Sequence, residues 1–148
     1  MMKKTAFLLL FGALFCSWGT LSAQAADPIV GTWKTFDDET NQPAALVQIS
    51  EKNGVFSGVI TKVLDTSGPS TCEKCTDFRK GKPILGMEIL SNLKKVGESY
   101  SGGQILDPDD GEIYRAEMKL KDQGAKLDLR AYIGIPLLGR TQTWIREK

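Results

Sequence analysis

Apolar and polar residues alternate with a period of two over much of the chain, and this pattern predicts β-strands. It is clearest in residues 114–121, where Tyr114, Ala116 and Met118 alternate with charged side chains. Residues 127–131 repeat the alternation. A period of two with one apolar face is typical of antiparallel strands that are buried on one side and hydrated on the other.

Turn signals separate the predicted strands. Asn53-Gly54 accepts the positive φ angles of a type I′ turn, so it predicts a hairpin between strands at residues 45–51 and 55–64. Further strands are predicted at residues 29–36, 100–106, 112–120, 127–131 and 140–146.

Residues 83–95 fit two different elements. Met87, Leu90 and Leu93 would share one side of a short helix, whereas residues 83–90 would form a strand that ends in a turn. We favour the strand, which brings the count to seven or eight. A meander of that length removes its exposed edges by closing on itself. The sequence therefore predicts an all-β fold, a single antiparallel barrel of about eight strands, whose interior holds packed side chains or one small ligand.

The first 25 residues have the pattern of a secretory signal peptide. Two lysines precede an apolar run from Ala6 to Phe15, and small residues up to Ala25 form an A-x-A cleavage site. The run is too short for a membrane span, which needs about 20 residues. We therefore expect residues 1–25 to be removed, residues 26–148 to form a single barrel domain, and the protein to be periplasmic or secreted.

The composition narrows the chemistry that the chain can perform. It contains no histidine, which excludes a Ser-His-Asp triad, a Cys-His pair and an HExxH zinc site. Without the signal peptide, 17 basic residues face 18 acidic ones, and no basic run suggests nucleic-acid binding. No cofactor and no metal are expected. An enzyme would depend on tyrosine, carboxylates, lysine, arginine or thiols, and we favour a binding protein over it.

Cys72-x-x-Cys75 is the cysteine pair that remains after export. An oxidising compartment favours a disulfide. The pair lies in a long loop before Pro83, and no convincing helix follows it as one does in redox enzymes. We interpret it as a local disulfide, and the open alternatives are a labile redox pair and half of a zinc site.

Spaced acids in residues 107–112 suggest either a calcium loop or a turn. Gly111 occupies the fifth position, where the calcium loop needs an acid or an amide. Proline, aspartate and glycine together are what a hairpin turn requires. We interpret the segment as a turn.

The last predicted strand places Arg140, Gln142, Trp144 and Arg146 on one face. If that face points inward, polar groups lie inside the barrel, where they must be paired or meet a ligand. We therefore predict that Tyr114, Arg140, Gln142 and Trp144 bind a small anionic or amphipathic ligand. The alternative is that Trp144 covers the outside of the barrel and the arginines are hydrated.

Gly31-Thr32-Trp33 at the head of the first strand resembles the signature of the lipocalin superfamily of ligand-binding barrels. In that superfamily the tryptophan closes one end of the barrel, and an arginine from the far end of the chain packs across its ring. The resemblance implies that Gly31, Trp33 and Arg146 form the barrel end, with Arg140 as a second candidate for the arginine. A guanidinium stacks well on an indole face.

A longer set of stretches occurs in a specific order along residues 29–144. It comprises residues 29–34, 72–75, 83–87, 101–108 and 139–144. Together they resemble an uncharacterised family of secreted bacterial proteins, the domain of unknown function twenty-one forty-seven, which is described as lipocalin-like. The resemblance implies the fold and the export. It brings no established activity, so no catalytic residue is assigned.

Three functions follow from these observations. The first is an exported barrel that holds a small apolar or amphipathic molecule in its lumen. The second is a filled barrel that acts through its loops on another envelope protein, with Cys72–Cys75 holding a recognition loop in place. The apolar residues 133–139 form either a mobile lid over the barrel mouth or a packed connection. The third is an enzyme without histidine.

Overall fold

The computed structural model describes residues 24–148, which form a closed antiparallel barrel of eight strands in sequence order. The strands are β1 (Gly31–Phe36), β2 (Pro43–Lys52), β3 (Val55–Val63), β4 (Glu88–Val96), β5 (Ser99–Leu106), β6 (Ile113–Lys121), β7 (Lys126–Tyr132) and β8 (Arg140–Arg146). Two short 3₁₀ turns lie at Asp122–Gly124 and Pro136–Leu138. The predicted all-β barrel is confirmed.

The barrel closes where β1 pairs with β8. Trp33 lies opposite Arg146, and Lys34 lies opposite Ile145. This pairing leaves no exposed edge in the sheet, which is the physical advantage of a closed barrel.

The apolar faces predicted for β6 and β7 point into the barrel in the structure. Ala116 lies opposite Ala131, and Met118 lies opposite Leu129. All four are buried, whereas the charged residues between them lie on the outer face. The hairpin at Asn53-Gly54 is also confirmed.

The prediction for residues 83–95 needs correction. A strand is present, but β4 runs from Glu88 to Val96, and Pro83 makes only an isolated bridge with Thr71. The reason is a turn at residues 84–87, in which the Met87 N–H donates to the carbonyl oxygen of Ile84, so that the strand begins only at Glu88. Inside β4, Asn92 has a φ of 59° and interrupts the period of two, so that Leu90 and Leu93 are both buried although they are three residues apart.

The two ends of the barrel differ. We call the end with the β2–β3, β4–β5 and β6–β7 connections the closed end, and the opposite end, with residues 37–42, 64–87, 107–112 and 133–139, the open end. Large buried side chains fill the interior toward the closed end: Trp33, Ile49, Phe56, Leu93, Tyr100 and Leu127.

A disulfide joins Cys72 and Cys75 in the long connection at the open end. Both cysteines are fully buried, and the Cys72 sulfur lies 3.7 Å from the carbonyl oxygen of Pro108. A side chain at Gly111 would approach the carbonyl oxygen of Lys74 to 2.1 Å. The disulfide loop is therefore packed directly against the β5–β6 turn.

The predicted signal peptide lies outside the described residues, apart from Gln24 and Ala25. Within residues 24–148, no helix has the length and apolarity that a transmembrane helix requires.

Candidate functional site

A cavity of about 380 Å³ opens at the open end of the barrel. Its floor consists of inward-facing side chains that are buried in the barrel: Val47, Ile60, Ile89, Ile105, Leu129 and Trp144. Ligand pockets usually measure about 300–1,000 Å³ and combine an apolar lining with a few fixed polar groups. The cavity has the size and the lining of a site for a small ligand.

The four residues predicted to bind a ligand all line this cavity: Tyr114, Arg140, Gln142 and Trp144. β6 supplies Tyr114, and β8 supplies the other three at alternate positions. Trp144 is buried and lines the cavity, so its face of β8 points into the barrel rather than outward. That these residues bind a ligand stays a prediction.

Gln142 is the centre of the polar network in the cavity wall. Its Nε2 donates to the carbonyl oxygen of Phe36 at 2.6 Å and to Oδ1 of Asp38 at 2.7 Å. Its Oε1 accepts a hydrogen bond from Nε1 of Trp144. The partly buried amide is therefore satisfied without a ligand, which fixes the side chain in place.

Arg140 is paired within the wall. Its Nη2 lies 2.7 Å from Oδ2 of Asp107, and its Nη1 lies 3.3 Å from Oδ2 of Asp38. Its guanidinium carbon is 5.3 Å from the centre of the Tyr114 ring. Two carboxylates thus balance the one positive charge that the sequence placed in the lumen.

Tyr114 is held as a neutral phenol. Its hydroxyl donates to Oδ2 of Asp110 at 2.7 Å. This hydrogen bond, followed by partial burial and the negative charge of Asp110, raises the pKa of Tyr114 to about 12. The phenol remains protonated at neutral pH and acts as a hydrogen-bond donor.

The rim of the cavity is acidic, a feature that was not predicted from the sequence. Besides the partners of Arg140 and Tyr114, the rim contains four further acids: Asp37, Glu39, Asp65 and Asp109. They come from the β1–β2, β3–β4 and β5–β6 connections, which lie on the same end of any antiparallel meander. The signal was present in the sequence, since acids are concentrated in three of the four alternate connections that meet at this end.

The neighbouring acids of this rim affect the pKa of Asp109. Partial loss of hydration raises the pKa of Asp109, and the negative charges of Asp107, Asp37 and Asp110 raise it further. Lys74 acts in the opposite direction. The carboxylates are close enough to interact, but among residues 24–148 no three acidic or cysteine side chains converge closely enough to hold a metal ion.

The closed end contains the three residues that the lipocalin resemblance singled out. The Arg146 guanidinium lies over the Trp33 ring, 4.2 Å from its centre, and Trp33 Nε1 donates to the carbonyl oxygen of Ile29 at 2.9 Å. A side chain at Gly31, whose φ is 144°, would approach Nη1 of Arg146 to 2.7 Å. Arg140 lies at the opposite end of the barrel.

Residues 31–146 match a family described as an uncharacterised protein conserved in bacteria, DUF2147. The match covers all eight strands. The chain belongs to this family.

The fold of this DUF2147 member is also similar to a solved structure. Protein HP1028 from the human pathogen Helicobacter pylori, described as belonging to the lipocalin family, superposes with a TM-score of 0.72 and 24% sequence identity. The superposition covers 84% of this chain and 85% of that chain. At this identity the likeness shows the fold, and it confirms the lipocalin-like barrel. No curated protein matches the chain.

In this DUF2147 member, Asp27 fastens the segment before β1 to the closed end. Its carboxylate accepts a hydrogen bond from the Tyr100 hydroxyl and lies 2.8 Å from Nζ of Lys95. Burial alone would raise the pKa of Asp27, but these hydrogen bonds and one from the Ile29 backbone outweigh it and hold the pKa below its ordinary value.

A group whose pKa is lowered on folding stabilises the protein above its unfolded pKa, and this contribution is lost as the pH falls through the folded value. We therefore expect Asp27→Asn to lower the free energy of unfolding at pH 7 by about 1–3 kcal/mol, and by progressively less as the pH falls through the lowered pKa of Asp27. Urea denaturation followed by circular dichroism from pH 2.5 to 8 measures this. Asp122→Asn, which removes an exposed pair with Lys126, is the matched control and should cost under about 0.5 kcal/mol. An equal loss at both ends of the pH range would contradict the role of the Asp27 charge.

Proposed function

We propose that the protein is an exported barrel that holds one small ligand, with an apolar part, in the cavity at its open end. The observation that carries this proposal is that the barrel interior is filled at one end and hollow at the other. Side chains fill the barrel toward the closed end, whereas about 380 Å³ remain above an apolar floor at the open end.

Binding would be driven by burial of the ligand's apolar surface, which contributes about 25 cal/mol for each Å² removed from water. The wall is already ordered by the hydrogen bonds of Gln142 and by the ion pairs of Arg140. Few side chains would therefore lose freedom when a ligand enters, which favours affinity.

Export of the 26–148 domain to the periplasm or the medium is part of the same proposal. The signal-peptide pattern of residues 1–25 supports it, and so does the disulfide between Cys72 and Cys75, because disulfides persist in oxidising compartments.

The test is a titration of the exported domain with 1-octanol, a neutral amphiphile, followed by methyl NMR. We expect saturable shifts at the floor residues Val47, Ile60 and Leu129, and little change at Ile49 and Leu93 in the filled part. Native mass spectrometry of protein purified gently from the producing cells should show a small bound molecule. Protein that is recovered empty and shows no saturable shifts would overturn the proposal.

A second candidate function rests on the apolar surface of the β7–β8 connection. Ile133, Ile135, Leu137 and Leu138 are 62%, 54%, 82% and 76% exposed. Arg130 holds this loop by donating to the carbonyl oxygens of Pro136 at 2.6 Å and of Leu137 at 3.3 Å. Exposed apolar patches often contact other proteins.

This candidate predicts a contact with an envelope protein through the loop. A photo-reactive residue at Leu137 should form a discrete crosslink in living cells, and one at the exposed Lys62 on β3 should not. Equal crosslinking from both positions would count against a specific partner.

A further inference from the structure

The hydrogen-bond donors of the cavity wall are already bonded to acceptors within the protein. Tyr114 donates to Asp110, Trp144 donates to Gln142, and the Gln142 amide donates to Phe36 and Asp38. Arg140 donates to Asp107 and is paired with Asp38. What the wall still offers to a ligand is therefore acceptors rather than donors.

Those acceptors are carboxylates. Within residues 24–148, the side chains of Glu39 and Asp109 accept no hydrogen bond, and both are exposed at the rim. The described lining contains seven acidic residues and one basic residue, Arg140, whose charge is already balanced. A cleft lined by one sign of charge raises the local concentration of ligands of the opposite sign.

The spread of the acids argues for an organic cation rather than a metal ion. A metal ion needs several ligands that converge on one point, and the described acids do not converge in this way. They surround an opening that leads to an apolar floor, so one molecule can satisfy both parts only if it carries an apolar body and a charged end.

We propose that the cavity selects an organic cation, an inference that rests on the proposed function. The apolar body of the ligand lies on the cavity floor, and its ammonium or guanidinium group donates hydrogen bonds to Asp109 and Glu39. An anionic amphiphile would instead place its charge among like charges, which costs binding energy. This reverses the ligand charge that Arg140 alone had suggested in the sequence.

Three ligands with the same eight-carbon chain distinguish the effect of ligand charge from that of apolar burial: octylammonium, 1-octanol and octanoate. Isothermal titration calorimetry of the exported domain at pH 7 and low salt measures their affinities below the concentrations at which they form micelles. We expect octylammonium to bind about tenfold tighter than 1-octanol and octanoate to bind weakest. The preference for octylammonium should shrink to about two- to threefold in about 0.5 M salt, because screening weakens exposed charge pairs.

Variants locate the preference at the rim. The double variant Glu39→Gln with Asp109→Asn should reduce the ratio of octylammonium to 1-octanol affinity at least about threefold. The matched control is Glu98→Gln with Glu117→Gln, which removes the same charge from exposed or half-buried positions away from the cavity. It should leave the ratio unchanged.

The outcomes distinguish this inference from the proposed function. If 1-octanol binds in the cavity but octylammonium shows no advantage, or octanoate binds tighter, the inference is overturned and the proposed function stands. If none of the three binds, the proposed function fails. If both double variants lower the ratio equally, the preference reflects the net charge of the protein, and the assignment to the rim is overturned.

Discussion

Trp33→Ala is expected to lower the free energy of unfolding by about 3–5 kcal/mol. Trp33 is fully buried at the closed end, its Nε1 is bonded to the Ile29 backbone, and the Arg146 guanidinium covers its ring. Removing the indole leaves a cavity in the filled part of the barrel and deprives Arg146 of its stacking partner. Urea denaturation followed by circular dichroism measures the loss.

Two comparisons show whether the loss has this origin. Phe78→Ala removes an aromatic ring that is 83% exposed, and it should change the free energy of unfolding by less than about 0.5 kcal/mol. A double-mutant cycle with Arg146→Ala should give a coupling energy between Trp33 and Arg146 of about 0.5–3 kcal/mol. Additive effects would show that the two side chains stabilise the barrel independently.

The fold was readable from the sequence because a closed antiparallel barrel obeys a local rule. Where a strand follows this rule it buries every second residue, and β6 and β7 revealed their inward faces in this way, with Met118 and Leu129 among the buried residues. β4 was less readable for two reasons: residues 84–87 form a turn before the strand, and Asn92 interrupts the alternation with a positive φ inside it.

The site was only partly readable, because its chemistry depends on contacts that are distant in the chain. The face of β8 indicated Arg140 and Gln142 as lumen residues. Their partner Asp38 lies about a hundred positions earlier, on the far side of the closure between β1 and β8, so no local pattern relates them. The sequence thus suggested a cation for anionic ligands, whereas the structure provides a balanced ion pair beneath an acidic rim.

The same topology explains how stability and binding are separated in this barrel. At the closed end, the stacked Trp33 and Arg146 join β1 to β8, and the Asp27 hydrogen bonds join the segment before β1 to β4 and β5. The open end carries long connections, one of them held by the disulfide against the β5–β6 turn. Substitutions in the cavity floor can therefore alter binding while the closed end maintains the fold.

Ala45→Trp tests that separation and should weaken 1-octanol binding by roughly 100-fold. Ala45 lines the cavity and points inward from β2, two residues before the buried Val47. Burying a methylene contributes about 0.8 kcal/mol, so an indole that excludes about half of an octyl chain removes about 3 kcal/mol, and each 1.4 kcal/mol is a factor of ten. Calorimetric titration of 1-octanol measures the change.

Ala45→Leu provides the graded member of the series, with an expected loss of about tenfold, since it fills less of the cavity. Ala125→Trp, at an exposed position of the closed end, is the matched control and should bind 1-octanol as the unmodified protein does. Overpacking costs about 1–3 kcal/mol of stability, so urea denaturation of each variant must show that it remains folded at the titration temperature. A folded Ala45→Trp variant with unchanged affinity would place any ligand outside the barrel and direct attention to the exposed loop around Leu137.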